Sequence, residues 1–273
     1  MAHLTNQPGG PAPAQRVRAV PAATRRSGLP GTLRSEFTKI RSVRSTWLTL
    51  AVAILLSAGA KSSVGQASFD PTATSLVAVE FTATLIIVVI GVLVITSEYG
   101  TRMIGTSLAA MPRRGVLYAA KAIMLTSVTL VVGLITSFSS FFAGQAALAS
   151  THGGAAITSP GALRAVLLSA VFVPCCALLA FGLGAVIRHT AGAITALFGI
   201  VWVIPLLSNA LPQDWQHAVY RWLPGNSALY PIIATKPTGT SYFFGPYSEV
   251  AVFAGYAAIA VGAGALLFLR RTA

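Results

Sequence analysis

Apolar residues in this chain do not alternate or recur as a helical stripe; they come in long runs separated by short polar breaks. Six runs, near 46–64, 76–96, 116–143, 163–187, 190–211 and 250–269, approach or exceed the roughly 20 residues a helix needs to cross a hydrocarbon core. Lipid offers the backbone no hydrogen-bond partner, so such runs predict helices that satisfy themselves. The expectation is an all-α membrane protein, a six-helix transmembrane bundle within residues 46–271. Just before it, over 31–45, the pattern changes. Leu33, Phe37, Ile40 and Trp47 follow one another at helical intervals, with Arg34, Glu36, Lys39, Arg41 and Arg44 on much of the remaining surface. That is the pattern of a basic amphipathic helix lying along a membrane surface.

The breaks differ in kind. Residues 144–162 form a Gly- and Ser-rich loop containing His152. Only Arg188 and His189 part the fourth run from the fifth, which predicts a tight antiparallel hairpin with His189 as a loop residue. Pro174 interrupts the fourth run, predicting a kink and a carbonyl in need of another partner. The segment 212–249 carries Trp215, Tyr220, Trp222, Tyr230, Tyr242 and Tyr247, residues that settle at a membrane interface. A short helix is expected there over 214–223. Gly255, Gly262 and Gly264 give the last run the small surface that close helix packing uses.

Composition agrees: 55% of the 273 residues are apolar, 9% are charged and the mean hydropathy is +0.74. A soluble domain carries roughly 25% charged residues, so a globular surface is excluded. The net charge of +13 would suit nucleic acid, but its placement does not. With the N-terminus inside, the inner set is eight residues from Arg16 to Arg44, then Arg102, Arg113, Arg114, Lys121, Arg188, Arg270 and Arg271, fifteen in all. The outer set is Lys61, Arg164, Arg221 and Lys236. Fifteen against four is a positive-inside signal and predicts cytoplasmic N- and C-termini. Residues 1–30, basic and without an acidic residue, read as a disordered cytoplasmic tail. Lys61 and Glu80 stand at comparable heights on neighbouring spans and are candidates for an intramembrane ion pair, with substrate contact by Glu80 as the alternative. The adjacent Cys175 and Cys176 read as small packing residues within a span.

Between the second and third runs lies the stretch Ser97 to Arg114, where Glu98, one of only six acidic residues, sits among Arg102, Arg113 and Arg114. The chain has no Gly-x-x-x-x-Gly-Lys-Ser/Thr loop, no His-Glu-x-x-His and no cluster of intramembrane carboxylates. It therefore lacks the parts of an ATPase, a metalloprotease or a proton-coupled pump. Work done by this protein must draw energy from another polypeptide.

Glu98-Tyr99-Gly100-Thr101-Arg102-Met103-Ile104, with Thr106, Leu108, Pro112 and Arg113, resembles the cytoplasmic segment between spans two and three in permease subunits of type-2 ATP-binding-cassette (ABC) exporters, particularly those of actinobacterial type. Ser35 to Ser42 with Trp47 is similar to that family's interfacial connecting helix, and Leu223 to Ala228 to the outer segment before its last span. The resemblance covers about 31–271. It implies that 98–114 is a coupling helix docking on a separate ABC ATPase: Arg102, Arg113 and Arg114 would pair with acidic groups there, and Met103, Ile104 and Leu108 would fill its groove. It further implies that no cofactor is bound directly, ATP and Mg2+ belonging to the partner ATPase. A second permease copy or a sister permease would complete a dimer in the lipid bilayer, moving an amphipathic small molecule, drug or lipid-like substrate outward. The alternative is a membrane anchor or sensor that recruits a cytoplasmic partner without transport. Gly105 departs from a continuous helix in the coupling stretch, and the N-terminal tail is longer than the family requires.

Overall fold

The computed structural model describes residues 84–100, 114–148, 155–208 and 245–270, with short pieces at 30–31, 33–35, 38, 51–52, 72, 76, 210–212, 215 and 222–223. All regular structure among them is helical. In chain order the helices are α1 (Thr84–Gly100), α2 (Arg114–Leu148), α3 (Ala162–Ile187), α4 (Thr190–Phe198) and, after a π-helical turn over Gly199–Val203, α5 (Ile204–Ser208) and α6 (Pro246–Arg270). Three of these, α2, α3 and α6, are long and apolar enough to cross a membrane; α1 and the α4–π stretch are shorter apolar helices. They coincide with the second to sixth apolar runs. Of the first run, only Ala51 and Val52 are described, both helical.

Boundaries depart from the hydropathy pattern in an instructive way. Helix α1 does not stop where the polar stretch begins but continues through Ser97-Glu98-Tyr99-Gly100. Helix α2 starts at Arg114 and runs to Leu148, so the loop expected over 144–162 begins later. Its 35 residues span about 52 Å, well beyond a hydrocarbon core of about 30 Å. Hydropathy marks where lipid ends, whereas the helix continues until a turn stops it.

Helix α3 is the centre of the bundle. In its apolar window 67% of residues are buried within the protein, against 33% for α2 and 28% for α6, which turn most of their surface outward. Contacts fix the directions. Gly91 and Ile95 of α1 meet Ala177 and Gly184 of α3 in ascending order, so the two helices are parallel. Gly133 of α2 meets Ala170, while Tyr118 meets Phe181, so α2 is antiparallel to α3. Phe172 packs on Phe253, with ring centroids 4.4 Å apart, and Gly182 on Ala260, making α6 parallel to α3. An intervening return crossing is required, and α4, the π turn and α5 supply it.

Glycines mediate the approach of α1, α2 and α6 to α3. A Cβ at Gly91 would lie 2.6 Å from the Ala177 carbonyl oxygen, and one at Gly133 would lie 2.5 Å from that of Ala170. At Gly182 it would run into the Ala260 and Val261 backbone, 2.6 Å from the Val261 nitrogen. Helices in lipid gain little from hiding apolar surface from one another, so such backbone approach provides van der Waals contact instead. Pro174 has no N–H to offer the Ala170 carbonyl, and Gly133 of α2 faces that oxygen. Cys176 is buried in the core beside Phe172 and Phe253, and Cys175 packs against the same cluster.

Candidate functional site

Helix α1 ends, through Ser97 to Gly100, at a corner built from α1, α2, the α3–α4 turn and the last turns of α6. Tyr99 packs against a buried cluster that includes Ile95, Leu117, Tyr118, Phe181 and Phe268. The Arg188 guanidinium carbon lies 4.9 Å from the centre of the Tyr99 ring, a cation–π arrangement. Arg188 ends α3 in the left-handed conformation, φ 60°, and its N–H bonds to the Gly184 carbonyl oxygen at 2.9 Å. A position of this kind normally belongs to glycine. Its Nε is buried and has no hydrogen-bond partner among the described residues.

On the other side of the turn, Thr190 Oγ1 donates to Thr96 Oγ1 at 2.9 Å, and Thr96 Oγ1 donates to the Val92 carbonyl oxygen at 3.0 Å. The chain of bonds satisfies a hydroxyl that is otherwise shut inside the bundle. His189, expected as a plain loop residue, is the N-cap of α4: its Nδ1 accepts from the Gly192 N–H at 3.1 Å.

A second polar contact lies deeper. Tyr118 of α2 donates its hydroxyl to the Val261 carbonyl oxygen of α6 at 3.0 Å, its ring held between Phe181 and Phe268 at 4.9 and 5.5 Å. Gly264 makes room for that hydroxyl, since a Cβ there would lie 2.6 Å from it. Lys121, one turn further along α2, is buried, as is Glu249 in the first turn of α6. Both make polar interactions.

Of the residues singled out for ATPase docking, Tyr99 and Gly100 close α1, Glu98 lies in the same last turn, and Arg114 opens α2 half-buried. Thr101, Arg102, Met103, Ile104, Leu108, Arg113 and the side chain of Glu98 lie outside the described residues. On the amphipathic segment, Leu33 is helical and half-buried while Arg34, Ser35 and Thr38 are exposed; Phe37, Lys39, Ile40, Arg41, Arg44 and Trp47 lie outside. So do Lys61 and Glu80.

The profile described as ABC-2 family transporter protein matches residues 32–205, well over half of the chain. The chain belongs to that family. It is accordingly a membrane-embedded permease of the ABC-2 type, a transporter subunit rather than an enzyme in its own right, and membership implies pairing with an ABC ATPase subunit. No curated protein matches the chain. Within the permease, the matched region contains both ends of the Tyr99–Arg188 contact but stops short of α6. Sequence reasoning missed Arg188, counted as an orientation signal, and Tyr118, near the start of the third apolar run. The signal for Arg188 was present, because a two-residue turn between long helices needs one residue in the left-handed region and offers no glycine. For Tyr118 only the fold brings Gly264 opposite.

Proposed function

We infer that this permease exports an amphipathic small molecule, drug or lipid-like substrate, and that the ATPase docks on the segment 98–114 at the cytoplasmic face. The observation that carries the reading is the continuity of α1 through Tyr99, whose ring packs into the bundle core. A force applied to the residues that follow is delivered to a packed helix end rather than dissipated in a slack loop. Fifteen of nineteen basic residues on one side support a cytoplasmic location for this corner and for both termini. In this arrangement six spans cross the membrane, 31–45 lies along its inner surface, and 1–30 is a tail. Arg102, Arg113 and Arg114 face acidic groups on the ATPase while Met103, Ile104 and Leu108 enter its groove. ATP and Mg2+ stay in that partner, and a second permease, identical or sister, completes the path.

The test is affinity purification of the tagged permease from its own membranes, with the bound ATPase identified by mass spectrometry. Arg102→Glu or Glu98→Arg should abolish recovery of the ATPase while leaving the permease folded. Unchanged recovery from both variants would remove the docking assignment. Reconstituted vesicles separate transport from anchoring: an anchor would show no substrate-dependent ATP hydrolysis.

A further inference from the structure

Two ties join the end of α1 to the α3–α4 turn, and they lie on either side of His189. Thr190 reaches Thr96, and Arg188 covers Tyr99. Thr96 and Tyr99 are three residues apart, neighbours on one face of α1. Contacts on successive turns resist rotation of α1 as well as its withdrawal. Arg188 adopts its place against local preference, since φ 60° disfavours any side chain and suits glycine. An arginine serving only to anchor the chain at the headgroups would extend into them with its nitrogens solvated. This one is only half-exposed, its Nε is buried, and its guanidinium lies over an aromatic face.

We propose that Arg188 is a positioning residue that clasps the end of α1 to the α3–α4 turn, so that a push on the docking segment moves α1 and the α3–α4 hairpin as one body. The role rests on the reading that the ATPase docks on 98–114. It extends that reading by naming the element that receives the motion. The hairpin carries α4 and the π turn, so displacement at the corner reaches the return crossing directly, without first travelling along α1.

The clasp is testable on the full chain in lipid nanodiscs, without the ATPase, by amide hydrogen exchange. Arg188→Gly removes the side chain but suits the left-handed backbone, so thermal stability should hold or rise. Exchange in peptides covering 97–104 should nevertheless accelerate by roughly 3- to 30-fold, the range for losing a cation–π contact. Tyr99→Leu should do the same, Tyr99→Phe should not because the ring face remains, and the Arg188→Gly/Tyr99→Leu double variant should exceed neither single. Unchanged exchange at 97–104 in Arg188→Gly, or equal loss in Tyr99→Phe and Tyr99→Leu, overturns the clasp. A second arm adds the ATPase with ADP and vanadate. In the native chain, peptides 97–104 and 186–193 should respond together; in Arg188→Gly the response at 186–193 should shrink, because only the Thr190–Thr96 bond still joins the two. An equal response at 186–193 in both proteins overturns transmission through Arg188. Failure of the native permease to retain any ATPase sinks the docking reading instead, and the ATPase-free arm still decides the clasp.

Discussion

The contact between Tyr118 and Gly264 supports a quantitative prediction. Gly264→Ala places a methyl 2.6 Å from the Tyr118 hydroxyl, 2.9 Å from the Ala185 Cβ and 3.1 Å from the Gly182 carbonyl oxygen. The tyrosine cannot swing aside, because Phe181 and Phe268 hold its ring. Overpacking of this kind costs about 1–3 kcal/mol, against which the helix preference for alanine over glycine returns about 1 kcal/mol at most. A net loss of up to about 2 kcal/mol is expected. Tyr118→Phe removes one interhelical hydrogen bond, worth about 0.6 kcal/mol on average in membrane bundles. The Val261 carbonyl has a helical bond of its own, so little desolvation penalty follows. Combined, the two changes should not add: without the hydroxyl, the closest obstacle to the methyl is gone. The double variant should be more stable than the sum by about 0.5–1.5 kcal/mol, the coupling usual for residues in contact. Reversible unfolding of purified protein in mixed micelles, read by tryptophan fluorescence, measures all four corners of the cycle. Additivity within about 0.3 kcal/mol would falsify the account of Gly264 as the space for that hydroxyl.

Glycines at the α3–α6 contact and along α6 should divide by what faces them. Gly182→Ala, which drives a methyl into the α6 backbone, should cost more than Gly264→Ala, and a Tm lowered by only a degree would contradict it. Gly262→Ala and Gly255→Ala meet open space and should be neutral or stabilising by about 0.5–1 kcal/mol in the isolated chain. Within α3, Pro174→Ala returns an N–H to the Ala170 carbonyl, and Gly133→Ala should then remain destabilising because the oxygen still lies 2.5 Å from the added carbon. If Pro174→Ala instead suppressed the Gly133→Ala defect in the same unfolding assay, the clash would not be with that carbonyl.

Much of this protein was legible before folding. Long apolar runs place it in a membrane, because about 20 residues of unsolvated backbone permit only a helix there. The missing phosphate-binding loop pointed to an energy source elsewhere, and Glu98-Tyr99-Gly100 with the arginines after it pointed to the family whose profile the chain matches. Helix ends were less legible: nothing in the hydropathy of Ser97 to Gly100 says that α1 continues through them.

Faces and partners needed the tertiary structure. In water, a helix declares its buried side by being apolar on that side alone. In lipid both sides are apolar, so Gly262 and Gly264 look equivalent in the chain although one faces open space and the other faces Tyr118. Arg188 likewise has two meanings in the sequence, a positive charge near the inner surface or a cap with a use for its side chain. Only the approach of α1, which brings the Tyr99 ring beneath the guanidinium, separates them. The sequence by itself therefore determined the solvent and the number of apolar runs. Packing decided which small residues are contacts and which polar residues hold the corner, because those depend on residues of other helices, distant in the chain.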